Sequence, residues 1–114
     1  MKPKITVYIP NHNYARFLEK AIKSVINQIF CEWELFIILD GIVDNSRDIA
    51  FKYNDLFPEK IKVVENEERK GLQYCSNKIL AQANGKYFIR LDSDDYFNES
   101  ALLVMSEIMD KDSE

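Results

Sequence analysis

The chain alternates four times between a short β-favouring run and a longer segment with helical spacing, and this alternation restricts its fold most. The short runs are rich in β-branched and aromatic residues, whereas apolar residues in the longer segments recur every three or four positions. The runs cover residues 4–10, 34–40, 60–65 and 87–91, and the helical patterns cover residues 15–29, 44–58, 72–83 and 98–110. Strict alternation predicts an α/β fold, a mostly parallel sheet with right-handed crossovers and helices on both faces.

Two of the predicted strands end in acids. The run Leu35 to Leu39 is continuously apolar, as in a parallel strand covered on both faces, and it ends at Asp40. The last run is followed by three carboxylates within four positions, at Asp92, Asp94 and Asp95. In open α/β sheets, ligands bind in the crevice outside the carboxyl ends of the strands.

The carboxyl ends of parallel strands lie on one edge, so four junctions are expected to meet there. They are Pro10–Asn13, Leu39–Gly41, residues 66–71 and Asp92–Asp95. The prediction is a cleft bounded by Asp40, Asp92 and Asp94, to which His12 and Asn13 are further candidates. His12 is the only histidine, and its position fits either a ligand or a loop residue with one hydrogen bond.

Carboxylates after a buried strand suit a divalent cation that shares its site with a substrate phosphate. Mg²⁺ and Mn²⁺ prefer carboxylate oxygens and keep several waters. Asp and Asn also cap helix N-termini, so the residues alone leave open a second interpretation, a strand–helix junction without a metal. The patterns GxGxxG and GxxxxGK[ST] are absent, which argues against a dinucleotide enzyme and a P-loop NTPase.

Length and composition indicate one soluble domain over residues 1–114. Hydrophobic residues make up 46% and charged residues 30%, and the net charge of −4 comes without a basic run, so no nucleic-acid partner is expected. Cys31 and Cys75 lack zinc-site spacing and are predicted to be reduced and partly buried. Because neither a signal-peptide core nor a membrane-length apolar run is found, the predicted location is cytoplasmic. Peripheral attachment at the inner membrane face stays open.

Six segments, in their order and spacing, resemble a known family. They are residues 5–18 (Ile-Thr-Val-Tyr-Ile-Pro-Asn-His-Asn-Tyr-Ala-Arg-Phe-Leu), 21–28, 33–35, 40–46, 70–72 together with 77–78, and 85–96 (Gly-Lys-Tyr-Phe-Ile-Arg-Leu-Asp-Ser-Asp-Asp-Tyr). The chain resembles the N-terminal, nucleotide-binding half of inverting family 2 glycosyltransferases, which have the GT-A fold. The resemblance implies a nucleotide-diphosphate sugar donor, with a UDP-sugar favoured, and Mn²⁺ or Mg²⁺ as the cofactor. It also implies a sugar or lipid-linked acceptor.

The resemblance also implies roles for particular residues. Asp92-Ser93-Asp94 would be the DxD motif: Asp94 binds the metal that bridges the phosphates, Asp92 assists the metal or contacts the ribose, and Ser93 lies in the nucleotide-sugar site. Asp40 would lie close to the base and ribose. The nucleotide pocket would be lined by Pro10, Asn11 and Asn13.

The sequence departs from the family pattern near the expected base site. Leu39 stands where the family usually has an acid, Ser76 where an Arg often precedes Asn77, and Ile42-Val43 where small polar residues are usual. Another nucleotide, or weaker donor binding, is therefore open.

The family's general base and acceptor surface are expected beyond residue 114, so the chain is interpreted as a truncated GT-A domain that alone transfers sugar poorly. An unprotected sheet edge predicts a homodimer. Two other classes are weighed against the enzyme. One is a non-catalytic nucleotide-binding or interaction module that keeps the fold. The other is a receiver domain, which Pro10-Asn11 after the first strand disfavours.

Overall fold

A computed structural model describes residues 2–11, 15–41 and 44–112, with only the backbone of Leu72. Within these residues, four strands alternate with four helices in the predicted order. The elements are β1 (Ile5–Asn11), α1 (Ala15–Ile26), β2 (Trp33–Asp40), α2 (Ser46–Leu56), β3 (Ile61–Asn66), α3 (Leu72–Gln82), β4 (Tyr87–Arg90) and α4 (Ala101–Asp112). The predicted strand boundaries differ from these by at most one residue, and α4 begins three residues later than predicted.

The strands form one parallel sheet in the order β3-β2-β1-β4. β1 lies in the middle and pairs with β2 from Ile5↔Trp33 to Asn11↔Leu39, and with β4 from Ile5↔Tyr87 to Tyr8↔Arg90. β2 is buried along its whole length, as its continuous apolar run predicts for a strand covered on both faces. The α/β fold predicted from the alternation is confirmed.

Helices cover both faces of the sheet. Alternate strand residues point to opposite faces, so the side chains of one strand pack into two separate clusters. Leu35, Ile37 and Leu39 lie in the larger core cluster, to which α1, α2 and α4 contribute. Phe36 and Ile38 lie in the smaller cluster with Cys75 and Ile79 of α3. α1 is shorter than the helical pattern over residues 15–29 predicts, since it ends at Ile26. Phe17 is 40% and Ile29 is 59% exposed, and Ile29 lies beyond the end of the helix.

Gly85 follows α3 but does not cap it. α3 ends through Ala83, whose backbone is extended, and Gly85 instead lies against β1. A Cβ atom on Gly85 would come within 2.5 Å of the backbone N of Thr6. The side chains of Thr6 and Glu34 accept hydrogen bonds from the Gly85 N–H at 3.0 and 3.2 Å. Glycine fits this position because two segments of the backbone, at Gly85 and at Thr6, approach each other closely.

Candidate functional site

The carboxyl ends of the strands lie along one edge of the sheet. Adjacent strands are about 4.8 Å apart, so the ends of β2 and β4 flank the end of β1. Among the residues described, this edge brings together Asn11 at the end of β1, Asp40 at the end of β2, and the acids that follow β4. His12, Asn13, Ile42 and Val43 lie outside the described residues.

Asp40 holds the loop between β3 and α3. Its Oδ1 atom accepts hydrogen bonds from the backbone N of Lys70 at 2.7 Å and from Asn66 Nδ2 at 3.1 Å. Its Oδ2 atom accepts from the backbone N of Gly71 at 2.9 Å. Burial alone would raise the pKa of Asp40, but these hydrogen bonds outweigh it and hold the pKa below its ordinary value. Asp40 is thus an ionised anchor for residues 66–71, which border the expected nucleotide site.

Asn11 places an amide at the centre of the edge. The side chain is 1% exposed, and neither Nδ2 nor Oδ1 has a hydrogen-bond partner among the described residues. Across the β1–β2 pair it lies beside Leu39, which is fully buried. Pro10, one residue earlier, is half-buried and pairs with Ile38. A buried amide normally has a partner, so Asn11 fits a position that a polar ligand completes.

Residues 92–95, here called the acidic segment, form a turn in which the backbone N of Asp95 donates to the carbonyl of Asp92 at 2.9 Å. Asp94 and Asp95 are exposed, whereas Ser93 is 3% exposed and faces the interior. Asp92 forms an ion pair with Arg90, whose Nε atom lies 3.2 Å from Oδ1. The sequence patterns did not single out Arg90 as a partner for Asp92.

Within the described residues, no three His, Cys, Asp or Glu side chains are grouped as a metal site. Asp40 and the acidic segment therefore do not form one carboxylate cluster. A metal that binds through substrate phosphates needs only one or two protein carboxylates, and Asp94 and Asp92 offer oxygen donors of the kind that Mg²⁺ and Mn²⁺ prefer. The donor set fits such an ion.

Asp44 lies at the start of α2 and joins two helices. Its Oδ2 atom accepts from the backbone N of Ala15 at 3.1 Å, and Oδ1 accepts from the backbone N of Ser46 at 3.0 Å. Burial raises the pKa of Asp44, but hydrogen bonds from Ser46 and Ala15 lower it below its ordinary value. The Asp44 carboxylate thus accepts hydrogen bonds from the first residues of both α1 and α2.

The two cysteines differ from each other. Both are free thiols, but only Cys75 is buried, and the prediction of partial burial was wrong for Cys31 because residue 31 lies in the exposed connection before β2. Cys75 accepts a hydrogen bond from Asn66 Nδ2 at 3.4 Å. Burial, together with the nearby negative charge of Asp40, raises the pKa of the Cys75 thiol and keeps it protonated.

The chain after the acidic segment contacts α1 and the turn that follows α1, and sequence patterns did not reveal these contacts. Ser24 Oγ accepts from the backbone N of Phe97 at 3.1 Å, and Gln28 Nε2 donates to the carbonyl of Asn98 at 2.5 Å. These pairs are separated by 73 and 70 residues. Local spacing carries no signal for contacts at such a distance along the chain.

The fold and the site define an open parallel α/β protein with polar and acidic side chains at the carboxyl edge of its sheet, the edge at which such proteins bind ligands. The family described as glycosyl transferase family 2 matches residues 6–114. The chain therefore belongs to glycosyl transferase family 2.

Among curated proteins, the chain is 36% identical over 108 residues to TuaG of Bacillus subtilis (strain 168), a glycosyltransferase assigned to teichuronic acid biosynthesis. That alignment covers 95% of this chain and 42% of TuaG. The chain is 30% identical over 109 residues to the Escherichia coli enzyme WfgD, a UDP-Glc:α-D-GlcNAc-diphosphoundecaprenol β-1,3-glucosyltransferase, covering 96% of this chain and 42% of WfgD. It thus spans about two fifths of the length of these two relatives.

Solved structures share the fold. The structure of S. aureus TarS residues 1–349 in complex with UDP-GlcNAc superposes with a TM-score of 0.85 at 28% identity, over 95% of this chain and 31% of that chain. The mannosyltransferase PcManGT from Pyrobaculum calidifontis, in complex with GDP-Man and Mn²⁺, has a TM-score of 0.76 at 22% identity, over 85% of this chain and 29% of that chain. The GT-A fold implied by the sequence resemblance is confirmed. No described helix has the length and apolar character needed to cross a bilayer.

Proposed function

We propose that residues 1–114 form a single unit that binds the nucleotide-diphosphate sugar donor of a glycosyltransferase. The observation that carries the proposal is the carboxyl edge of the sheet. There a buried Asn11 amide without a described partner lies between the anchored loop 66–71 and the exposed acids of the acidic segment. Family membership, and the nucleotide sugars named for WfgD and TarS, support this assignment.

The residues have separate tasks in this proposal. Asp94, with Asp92 beside it, holds a divalent cation, Mn²⁺ or Mg²⁺, which supplies Lewis-acid stabilisation of the diphosphate leaving group. Pro10, Asn11, Asn13 and Ser93 line the donor site. Asp40 contributes by fixing loop 66–71 next to it. A UDP-sugar is favoured, and the acceptor is a sugar or a lipid-linked sugar.

The test is calorimetric titration of UDP into the 114-residue chain, with Mn²⁺ and with EDTA. Binding is expected only with Mn²⁺, and Asp94→Ala should weaken it by at least about tenfold because the main metal ligand is lost. Asp95→Ala is the matched control, since it removes another exposed acid one residue away and should leave the affinity within about twofold. GDP, dTDP and CDP under the same conditions identify the base. Binding by none of the four nucleotides would refute the proposal.

The chain alone is expected to bind the donor without efficient transfer. An inverting transfer needs a general base to deprotonate the acceptor hydroxyl, and that role is assigned to none of the 114 residues. Release of UDP from UDP-GlcNAc, measured with and without acceptor saccharides, checks this. Turnover at the rate of a complete transferase would contradict it. The cytoplasmic location and the homodimer stay predictions.

The second candidate is a binding or interaction module that keeps the fold without the reaction. The hydrogen bonds and ion pair of the acids favour it, because Asp40 holds a loop and Asp92 is paired with Arg90. Leu39 at the expected base site points the same way. This candidate predicts no dependence of nucleotide affinity on Mn²⁺, so the calorimetric titration separates the two.

A further inference from the structure

A polar stripe formed by Lys20 and Ser24 of α1 and by Gln28, two residues beyond the end of α1, contacts the chain after the acidic segment and is here called the α1 anchor. Lys20, Ser24 and Gln28 are spaced four residues apart, so they lie on one side of the helix and of the turn that continues it. The Lys20 Nζ atom lies 3.9 Å from the ring centre of Tyr96, and Ser24 Oγ accepts from the backbone N of Phe97. Gln28 contacts Asn98 and Leu102. Lys20, Ser24 and Gln28 therefore contact Tyr96, Phe97 and Asn98 in the same order along the chain.

Gln28 makes the central hydrogen bonds of the α1 anchor. The residue is buried, and its Nε2 atom donates to the carbonyl oxygens of Ser24 at 2.9 Å and Asn98 at 2.5 Å. Its Oε1 atom accepts from the backbone N of Leu102 at 3.0 Å, one of the N–H groups at the start of α4 that have no partner within that helix. The amide thus joins the end of α1, the loop and the start of α4 with both its donor and its acceptor atoms.

The acidic segment is held at both of its ends. Before it, Leu91 is buried and its backbone N donates to the carbonyl of Tyr8 at 2.9 Å. After it, Ser24 and Gln28 fix Phe97 and Asn98. Asp94 and Asp95 are exposed, so packing of their own side chains does not fix them. Their position depends on the two anchored ends.

We propose that Gln28, supported by Ser24, is a positioning residue that orients the acidic segment for the metal–diphosphate part of the donor. The inference rests on the proposed function. The inference separates the donor site into two parts. The nucleoside is bound at the ends of β1 and β2, which Gln28 does not contact. The binding of the metal and diphosphate depends on the α1 anchor.

The test exchanges amide and carboxylate at two buried positions. Gln28→Glu keeps an acceptor for Leu102 but removes the donor to the carbonyls of Ser24 and Asn98. Glu34→Gln is the matched control at the opposite edge of the sheet, where Glu34 Oε2 accepts from Thr6 Oγ1 and the backbone N of Asn84, both at 2.6 Å. Both variants alter a buried hydrogen-bonding group, but only Gln28→Glu changes the α1 anchor. Ser24→Ala is the milder variant should Gln28→Glu fail to fold.

Three readouts are compared with the wild type: UDP affinity with Mn²⁺, uridine affinity by ligand-observed NMR, and hydrogen exchange of the Phe97 and Leu102 amides. Gln28→Glu should weaken Mn²⁺-dependent UDP binding about 10- to 100-fold, as loss of groups that orient metal ligands does. It should leave uridine within about twofold and speed exchange at both amides. Ser24→Ala should do the same to a smaller extent, and Glu34→Gln should change none of the three.

Equal UDP affinity in Gln28→Glu and the wild type would overturn the inference alone, as would an equal loss of uridine binding or an equal effect of Glu34→Gln. A wild type that binds no nucleotide with Mn²⁺ would overturn the proposed function, and the inference with it.

Discussion

The Asp40 carboxylate takes the place of backbone carbonyls as the hydrogen-bond acceptor for N–H groups of loop 66–71. It accepts hydrogen bonds from the backbone of Lys70 and Gly71 and from the side chain of Asn66. Gly71 has a φ of +92°, a backbone conformation that glycine adopts without strain, and it precedes α3. The acid therefore sets the path from β3 into α3.

Asp40→Asn should lower the free energy of unfolding by about 1–3 kcal/mol, because an NH₂ group would face an N–H donor in a buried site. Urea denaturation at pH 7 measures the change. Glu67→Gln, in the exposed part of the same loop, is the control and should stay within about 0.5 kcal/mol of the wild type. A wild-type value for Asp40→Asn would show that the loop does not depend on the charge.

The loss of stability in Asp40→Asn is expected to depend on pH. The pKa of Asp40 is lower in the folded chain than its ordinary value of 3.8. Its ionised form therefore stabilises the fold at all pH values above 3.8, and this contribution is lost as the pH falls through the folded pKa. The stability difference between the wild type and Asp40→Asn should be constant from pH 5 to 7 and shrink below about pH 4. A difference that grows on acidification would contradict this.

At the scale of elements, the junction from α3 to β4 depends on Gly85. Its N–H donates to Thr6 Oγ1 and Glu34 Oε2, and it has no room for a side chain against β1. This junction lies where β4 begins beside β1.

Gly85→Ala should destabilise the chain by about 1–3 kcal/mol or more, since its Cβ would lie 2.5 Å from a backbone nitrogen that cannot move alone. Thermal unfolding gives the shift. Lys86→Ala alters the next residue, whose side chain is 60% exposed, and serves as the control with little expected effect. If Gly85→Ala unfolds at the wild-type temperature, the strands separate there more easily than their contacts imply.

At the scale of the molecule, the two sheet edges differ. β3 carries the exposed charges of Lys62 and Glu65, which discourage pairing with another chain. β4 has only four residues, three of them half-buried, and in the described part of the chain no strand lies on its outer side. The N–H groups of Tyr87 and Leu91 face β1, so those of Phe88 and Arg90 face outward.

The predicted homodimer should therefore form through β4. Sedimentation velocity over a concentration series is expected to show self-association that Arg90→Pro abolishes, because proline has no N–H to offer a second strand. Arg90→Ala keeps the N–H group while losing the ion pair with Asp92, so it should associate like the wild type. Circular dichroism confirms that both variants fold. A wild type that stays monomeric throughout the series would contradict the prediction.

The sequence alone determined the order of elements, the parallel sheet and the edge at which the polar junctions meet. It could do so because β alternation and helical spacing are local patterns, and because parallel strands place all their carboxyl ends on one side. The family followed from the order and spacing of short motifs. The metal and donor roles of Asp94, Asp92 and Asn11 remain predictions.

Only the tertiary structure decided which partner each polar group has. Asp40 anchors loop 66–71, Gly85 fits against Thr6, and Gln28 joins α1 to the chain after the acidic segment. Each of these contacts links residues far apart along the chain, and each depends on the strand order β3-β2-β1-β4. Periodicity shows which side of an element is buried, but the partner of a buried hydrogen-bonding group is set by the packing of distant elements.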